Sequence, residues 1–200
     1  FKDDSSPFGM AVTQDSAAQL NRIVVKSALD LRIPAVSFYT SNTIITSKSK
    51  VQDYFLEPLL EYLKNGLLPV VSGDVLPDKK TGCTIWSADA ILPFFGLYLI
   101  NHGYQVKELI HVTETPGVWK DIQKPEDGIF STISGANLDQ VRKAIGETRG
   151  ADVTGGMWTK ISEAYALAKS GVNSQILSGQ KPNNLLNALL GKQIGTKIMV

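Results

Sequence analysis

The segment DVTGGMWTK (152–160) is the most distinctive stretch of the chain, with two adjacent glycines ahead of a predicted helix over 157–169. Glycines at the start of a helix let the backbone approach an anion closely, and the N–H groups of the first turn favour negative charge. Lys160 is predicted one turn inside that helix, where its ammonium group could reach the same anion. A phosphate-binding loop and an ordinary helix start with a solvated lysine both fit this spacing.

Outward from this segment, helical and strand patterns alternate along the chain. Apolar positions at helical spacing predict helices over 14–31, 56–64, 138–145 and 185–190, and one capped by Ser87 or Asp89 that runs to Asn101. Short apolar runs predict strands over 35–39, 67–75, 82–86, 106–113, 173–177 and 196–200. Strands separated by helices predict an α/β fold with a largely parallel sheet covered on both faces.

The composition excludes several classes of protein. The chain has 200 residues, of which 43% are hydrophobic and 20% charged, so it can build a sizeable core. A net charge of +1 gives no electrostatic field for nucleic acid, and no apolar run approaches the ~20 residues of a membrane span. The single cysteine, Cys83, excludes a disulfide framework and suits a reducing cytoplasm.

Polar residues that follow predicted strands could bind a ligand, because ligands of parallel sheets lie at the carboxyl ends of the strands. Gly73 and Asp74 follow an apolar strand and could hold a ligand with backbone and carboxylate, or form a turn that Asp74 caps. Asp89, at a helix start, is typical of a helix cap, but an aspartate can also position lysines or a metal around a transferring phosphoryl group.

The aromatic, histidine and cysteine residues give weaker signals. Trp119 follows a Pro-Gly turn and could stack on an aromatic ligand or fill the core. His111, in an apolar strand, is interpreted as a structural histidine, and His102 as a favourable cation near a helix carboxyl end. Cys83 is interpreted as a small core residue. Two histidines and one cysteine offer little material for a metal site.

Six segments, in order along the chain, resemble the amino-acid kinase superfamily, and within it the isopentenyl phosphate kinases. They are LNRIVVKSALDLRIPAVSF (20–38), FLEPLLEYLKNGLLPVVSGDV (55–75), TIWSADAI (84–91), HVTETPGVW (111–119), DVTGGMWTK (152–160) and SGQKPNNLLNALLGKQIGTKI (178–198). The fifth agrees with the family pattern DVTGGM-x-x-K at each fixed position. The resemblance covers essentially the whole chain.

The resemblance implies a three-layer α/β/α sandwich around a central, mainly parallel, eight-stranded sheet. It implies ATP- and Mg²⁺-dependent phosphoryl transfer to a small phosphorylated acceptor, with isopentenyl phosphate, a precursor in isoprenoid biosynthesis, as the expected acceptor. Residues 1–104 would form part of the acceptor-binding half and residues 105–200 the nucleotide-binding half. Members of this branch are commonly homodimers, which makes a homodimer the expected assembly.

Positions that match the family motifs take the roles that the resemblance implies. Lys160 would stabilise the transferring phosphoryl group, and Asp89 would position the catalytic lysines. The other expected site residues are Asp152, Gly155, Gly156, Glu114 and Trp119 at the nucleotide, together with Lys160, and Gly73, Asp74 and Ala88 at the acceptor phosphate. An acceptor phosphate oxygen is already anionic, so the transfer requires positioning and cationic stabilisation but no general base.

Departures from the family pattern leave the acceptor open. Ala88 and Ala90 replace a glycine and a second aspartate at the helix start, and Pro116 replaces a carboxylate. A methyl group at residue 88 would crowd a backbone approach to phosphate. The alternatives are a sibling kinase acting on a fosfomycin-type phosphonate, an acyl amino acid or a nucleoside monophosphate, and a non-catalytic nucleotide-binding module of the same fold.

The family pattern also opens with strands that have no counterpart in these 200 residues. Those strands carry a phosphate-binding lysine, a glycine loop and an acceptor-binding histidine, and neither His102 nor His111 matches that histidine. The resemblance therefore predicts that the chain lacks the first strands of the fold and is inactive by itself.

Overall fold

The described part of the chain, residue 3 with residues 6–146 and 153–200 in a computed structural model, divides into two units. The first unit is Phe1–Ile91 and the second is Leu92–Val200. The division falls inside a helix, and the assignment of residues 1–104 to the acceptor-binding half stays a prediction.

A long helix, α1 (Ser6–Asp30), starts well before the predicted residue 14. Pro7 lies in its first turn, where the missing N–H group breaks no helical hydrogen bond. The helix ends where Arg32 takes a left-handed conformation (φ 59°) ahead of Pro34. Its buried residues are Asn21 and Val25, and α1 packs on three strands of the first unit.

The first unit contains two sheets. Its strands are β1 (Ala35–Ser37), β2 (Ile44–Ser47), β3 (Lys50–Tyr54), β4 (Leu68–Val70), β5 (Asp74–Asp78) and β6 (Gly82–Trp86), with helix α2 (Glu57–Lys64) between β3 and β4. Strands β1 and β4 pair in parallel, whereas the larger sheet has the order β3-β2-β5-β6. Strands β5 and β6 form an antiparallel hairpin in which Asp74 is opposite Trp86.

The second unit is built on one sheet with the strand order β7-β9-β10-β8. Its elements are β7 (Glu108–Thr113), β8 (Thr132–Ile133), α4 (Leu138–Gly146), α5 (Val153–Ala168), β9 (Asn173–Ser178), α6 (Asn184–Leu189) and β10 (Thr196–Ile198). Helix α3 (Ala88–Asn101) precedes them, contains the unit boundary and carries Pro93 in its interior. Fully buried apolar side chains join α4 and α5 to the sheet: Val118, Ile133, Val141, Ile161, Ile176 and Ile198.

The α/β prediction is confirmed, and both parallel and antiparallel pairings occur. Among the described residues the strands form three sheets, in place of the single eight-stranded sheet that the resemblance implies. Parallel pairs join β1 to β4, β2 to β5, β7 to β9 and β8 to β10. Within the described ranges, no helix has both the length and the apolar composition that a membrane span requires.

Besides the start of α1, two local predictions are wrong and one hairpin is missed. The run 67–75 is two strands, β4 and β5, with Asp74 as the first residue of β5 rather than part of a loop. The hairpin of β2 and β3 is not predicted at all. Helix α5 begins at Val153 rather than Met157, so Gly155 and Gly156 are helical. Glycine can adopt helical backbone angles, although each glycine lowers helix stability by about 1 kcal/mol relative to alanine.

Candidate functional site

The β5–β6 hairpin brings Gly73 against the first residue of α3. Gly73 directly precedes β5, and Asp74 pairs with Trp86 at the end of β6. A Cβ atom added at Gly73 would lie 3.4 Å from the carbonyl oxygen of Trp86 and 3.6 Å from the backbone nitrogen of Ala88. Two of the predicted acceptor residues, Gly73 and Ala88, therefore lie together, and the backbone lines the contact.

The carboxylate of Asp74 is buried and has several donors around it. Its Oδ2 accepts from the N–H of Ser41 at 2.8 Å and lies 3.3 Å from the hydroxyl of Thr40. Its Oδ1 accepts from the N–H of Val75 at 2.8 Å. These contacts fit the turn-capping interpretation of Asp74, since they anchor a short 3₁₀ turn, Thr40–Asn42, on β5. A role for this carboxylate at the acceptor phosphate stays a prediction.

Helix α3 starts directly after Ser87. The N–H groups of Ala90 and Ile91 both donate to the Ser87 carbonyl at 3.0 Å, and Asp89 supplies the acidic residue of the first turn. A negative charge there is stabilised by the helix dipole. This position accounts for Asp89 as a helix-start residue, while its expected action on catalytic lysines stays a prediction.

An open cavity of about 610 Å³ lies between α1 and the β5–β6 hairpin. Its lining is Ser6, Gly9, Met10 and Thr13 from α1, with Val75, Lys80, Thr81, Cys83 and Ile85 from the hairpin. The Ile85 side chain is 77% exposed although it is apolar, so it presents a hydrophobic surface to whatever enters. The side-chain amide of Gln14 donates to the Val75 carbonyl at 2.7 Å and ties the two walls together.

Sequence reasoning missed this cavity. The predicted start of the first helix at residue 14 left residues 6–13, which form one wall, outside any element. Cys83 was interpreted as a small core residue, yet its thiol is half-buried and lines the cavity. Val75 and Ile85 are directly opposite each other on β5 and β6, and the sequence alone does not reveal that pairing.

In the second unit, the loop after β7 carries Glu114 and Trp119 and is closely packed. Its Gly117 would have a Cβ atom only 2.8 Å from Ile129 and 3.0 Å from the backbone nitrogen of Thr196. The hydroxyl of Thr196 accepts from the N–H of Val118 at 2.8 Å and donates to the carbonyl of Phe130 at 2.6 Å. Packing against Ile129 and hydrogen bonds of Thr196 therefore hold the loop in its conformation.

Within this loop, Glu114 is exposed and Trp119 is half-buried. Trp119 also forms an isolated bridge with Ile129. A half-buried ring can serve either of the two predicted roles, packing or stacking, so its contact with adenine stays a prediction.

Helix α5 carries Gly155, Gly156 and Lys160. Since α5 begins at Val153, Lys160 lies almost two turns into the helix rather than one, and its side chain is half-buried. The short connection from α5 to β9 makes the helix run back along the strand. Its amino end therefore lies toward the carboxyl ends of β7 and β9, the edge at which the Glu114 loop begins.

The predicted residues are thus distributed over both units. The first unit holds Gly73, Asp74, Ala88 and Asp89, and the second holds Glu114, Trp119, Gly155, Gly156 and Lys160. Asp152 lies outside the described residues. The two histidines take structural positions: His111 is buried in β7, and the Nδ1 of His102 is 2.8 Å from the Tyr98 carbonyl near the end of α3.

Two curated relatives align with almost the whole chain. The isopentenyl phosphate kinase of Methanothermobacter thermautotrophicus is 34% identical over 195 residues, which cover 96% of this chain and 71% of that protein. The isopentenyl phosphate kinase of Methanocaldococcus jannaschii is 31% identical over 185 residues, covering 92% of this chain and 65% of the relative. The chain thus spans roughly two thirds of the length of these relatives.

A solved structure of an isopentenyl phosphate kinase gives the same result for the fold. It superposes with a TM-score of 0.77 at 29% sequence identity, covering 96% of this chain and 70% of that one. The sequence model of the amino acid kinase family matches residues 3–178. With the family model and these relatives in agreement, the chain belongs to the amino acid kinase family.

Proposed function

We propose that the protein transfers the γ-phosphoryl group of ATP to isopentenyl phosphate and forms isopentenyl diphosphate and ADP. The observation that carries the proposal is the apolar cavity between α1 and the β5–β6 hairpin, whose lining begins at Val75, two residues after Gly73. An acceptor with an anionic head and a short hydrocarbon tail would place the phosphate at the Gly73–Ala88 backbone and the tail against Val75 and Ile85. The names of the curated relatives support the same acceptor.

The chemistry needs little beyond positioning and charge. An oxygen of the acceptor phosphate forms a bond to the γ-phosphorus while the bond to the β–γ bridging oxygen breaks, and ADP leaves with that electron pair. The attacking oxygen carries a negative charge already, so no residue has to remove a proton. Lys160 is proposed to neutralise charge on the transferring group, and Gly155, Gly156, Glu114 and Trp119 to hold the nucleotide.

Magnesium is proposed to arrive with the nucleotide. The described residues contain no group of three or more His, Cys, Asp or Glu side chains that could hold a metal ion. Mg²⁺ is commonly bound by one or two carboxylates together with substrate phosphates rather than by a cage of side chains. We therefore assign no residue of the described ranges as a metal ligand and derive no step through the ion.

A homodimer formed through α1 is proposed as the assembly. Leu20 and Ile23 of this helix are 60% and 64% exposed, Val24 lies on the same helix face, and Leu31, just beyond the helix, is 74% exposed. An exposed stripe of this kind marks an interaction surface. Light scattering on the intact protein should give twice the chain mass, and Ile23→Lys should halve it. An unchanged mass would contradict the proposed interface.

A cytoplasmic location is proposed from the single cysteine, Cys83. Cys83 is half-buried and is the single cysteine of the chain, so no internal disulfide can form. This suits a reducing compartment such as the cytoplasm. Fractionation of the source cells would test it, and recovery of the protein with an oxidising compartment would contradict it.

The decisive experiment for the function is an acceptor screen with the intact protein. ADP release is followed with isopentenyl phosphate, a fosfomycin-type phosphonate, an acyl amino acid and a nucleoside monophosphate, and the product is identified by ³¹P NMR. Preferential turnover of isopentenyl phosphate with a diphosphate product is expected. Preference for another acceptor would identify a sibling kinase, and ATP binding without turnover would identify a non-catalytic module.

A further inference from the structure

The carboxylate of Asp78, at the end of β5, collects hydrogen bonds from two separate hairpin turns. It is 5% exposed. Its donors are the N–H groups of Lys48 (3.2 Å), Ser49, Lys80 and Thr81 (2.9 Å each), with the Thr46 hydroxyl at 2.9 Å. Both oxygens are in use, Oδ1 by three donors and Oδ2 by two.

One of the two turns needs this support. Lys48 and Ser49, at the tip of the β2–β3 hairpin, have φ angles of 52° and 62°. Side-chain-bearing residues rarely adopt this left-handed region, and a tight hairpin turn usually places Asn or Gly there. Both residues donate their backbone N–H to Asp78, so the carboxylate compensates for the unfavourable conformation.

The second turn forms part of the cavity wall. Lys80 and Thr81 donate to Asp78 and also line the cavity, and Cys83 follows them on β6. The loop between β5 and β6 is therefore held in place from the side opposite α1. Without the carboxylate, four backbone N–H groups would lose their common acceptor, and this end of the wall would keep fewer contacts with the β2–β3 hairpin, among them the N–H of Lys79 that donates to the Thr46 carbonyl at 2.8 Å.

We propose that Asp78 is a positioning residue for the acceptor, holding the Lys80–Thr81 end of the cavity wall in the shape that receives the hydrocarbon tail. This rests on the proposed function, because the cavity is assigned to the acceptor. Burial by itself would raise the pKa of the Asp78 carboxyl, but hydrogen bonds from Ser49, Thr81, Lys80 and Thr46 outweigh burial and hold the pKa well below its usual range. The group is therefore charged throughout the working pH range.

The test compares Asp78→Asn with Asp53→Asn in the intact protein. Asp53 is an exposed carboxylate on β3 that forms an ion pair with Lys79, so it links the same two hairpins without the buried bonds. An amide at residue 78 presents an NH₂ group to N–H donors. We expect the displaced wall to contact the hydrocarbon tail less well, so that the KM for isopentenyl phosphate rises about tenfold or more. The KM for ATP should stay within about twofold, and Asp53→Asn should change neither, as is usual for a surface substitution.

A second readout does not depend on catalysis. The rate at which iodoacetamide alkylates Cys83 reports the accessibility of the cavity wall, and it should rise severalfold in Asp78→Asn but not in Asp53→Asn. Should Asp78→Asn fail to fold, Thr46→Val provides a milder change, since it removes one donor while keeping the shape. It should move both readouts in the same direction.

The outcomes separate the two proposals. Unchanged alkylation and an unchanged acceptor KM in both Asp78→Asn and Thr46→Val would overturn the role of Asp78. Equal increases in the KM values of acceptor and ATP would also overturn it, because they indicate a general loss of structure. If isopentenyl phosphate is not a substrate but alkylation accelerates as expected, the proposed function fails while the positioning of the wall by Asp78 stands.

Discussion

Gly73 and Ala88 are neighbours across the β5–β6 hairpin, and a Cβ atom at Gly73 would lie 3.6 Å from the backbone nitrogen of Ala88. This spacing is ordinary van der Waals contact, so Gly73→Ala should fold, with a stability change within about 1 kcal/mol. The new methyl would occupy the approach to the Ala88 N–H, however. We expect the KM for isopentenyl phosphate to rise on the order of tenfold, the loss of one charge-assisted hydrogen bond, with no change for ATP.

The reverse substitution is the matched control for this prediction. Ala88→Gly removes a methyl group beside the same backbone and should leave the acceptor KM equal or lower. Urea unfolding and steady-state kinetics check both variants. A rise in KM with Ala88→Gly as large as that with Gly73→Ala would contradict a steric cause.

Cys83 should report occupancy of the cavity. Since its half-buried thiol lines the cavity and is the single cysteine of these 200 residues, alkylation by iodoacetamide, in which the thiolate displaces iodide, labels one position within them. Isopentenyl phosphate should slow the labelling, whereas ATP should not. Equal protection by both ligands, or by neither, would place the acceptor elsewhere, and Cys83→Ser should remove the label at this position.

Replacing Gly195, in the second unit, should strongly destabilise the protein. Its φ is +74°, and an added Cβ would meet the carbonyl oxygens of Ile176 and Pro116, the latter at 2.6 Å. Gly195→Ala should destabilise by about 3 kcal/mol or more, combining overpacking with backbone strain. Gly171→Ala has a similar φ of +88° in open space and should cost about 1–2 kcal/mol. Urea unfolding measures both, and equal losses would show that packing at Gly195 is unimportant.

Lys160 should act on the rate rather than on stability. If its ammonium group stabilises the transferring phosphoryl group, Lys160→Ala should lower kcat by about 10²–10³. The control is Lys169→Ala, since Lys169 lies just beyond α5 with its ammonium 5.4 Å from the ring centre of Tyr165. It should keep kcat within about twofold. A fall in kcat of similar size in both variants would argue against a specific role.

Asp78 should make folding depend on pH in one direction. The pKa of the Asp78 carboxyl is lower in the folded protein than its unfolded value of about 3.8. The contribution of the ionised carboxylate to the free energy of unfolding is therefore fully present above that pH and is lost progressively as the pH falls below it. The difference in the urea midpoint of unfolding between the parent protein and Asp78→Asn should be constant from pH 5 to 7 and shrink below about pH 4. A difference that stays constant down to pH 3 would contradict the low pKa.

Much of the fold could be predicted because the decisive residues act locally. Gly66 and Gly103 end α2 and α3 in left-handed conformations, and Pro34 follows the end of α1, as the pattern predicts. The β2–β3 hairpin could not be predicted, since its turn uses Lys48 and Ser49 instead of Asn or Gly, and a distant carboxylate makes that conformation favourable.

The candidate site divides in the same way. Gly73 and Ala88 could be named from the motifs, but their contact depends on the register of β5 and β6. That register pairs Asp74 with Trp86, which are 12 residues apart along the chain. The cavity depends on α1 packing beside that hairpin, and no local pattern encodes this arrangement. Helical Gly155 and Gly156 show the opposite case, where a permissive residue pair fits a loop and a helix equally well.

Pro93 gives the start of α3 a property of its own. A proline has no N–H, so Pro93 cannot donate the helical hydrogen bond that a different residue there would make to the Asp89 carbonyl. The turn that carries Ala88 and Asp89 is thus less tightly coupled to the following turns. If the acceptor phosphate binds at this backbone, as proposed, the amide protection of this single turn should rise on binding while that of the remainder of α3 stays unchanged.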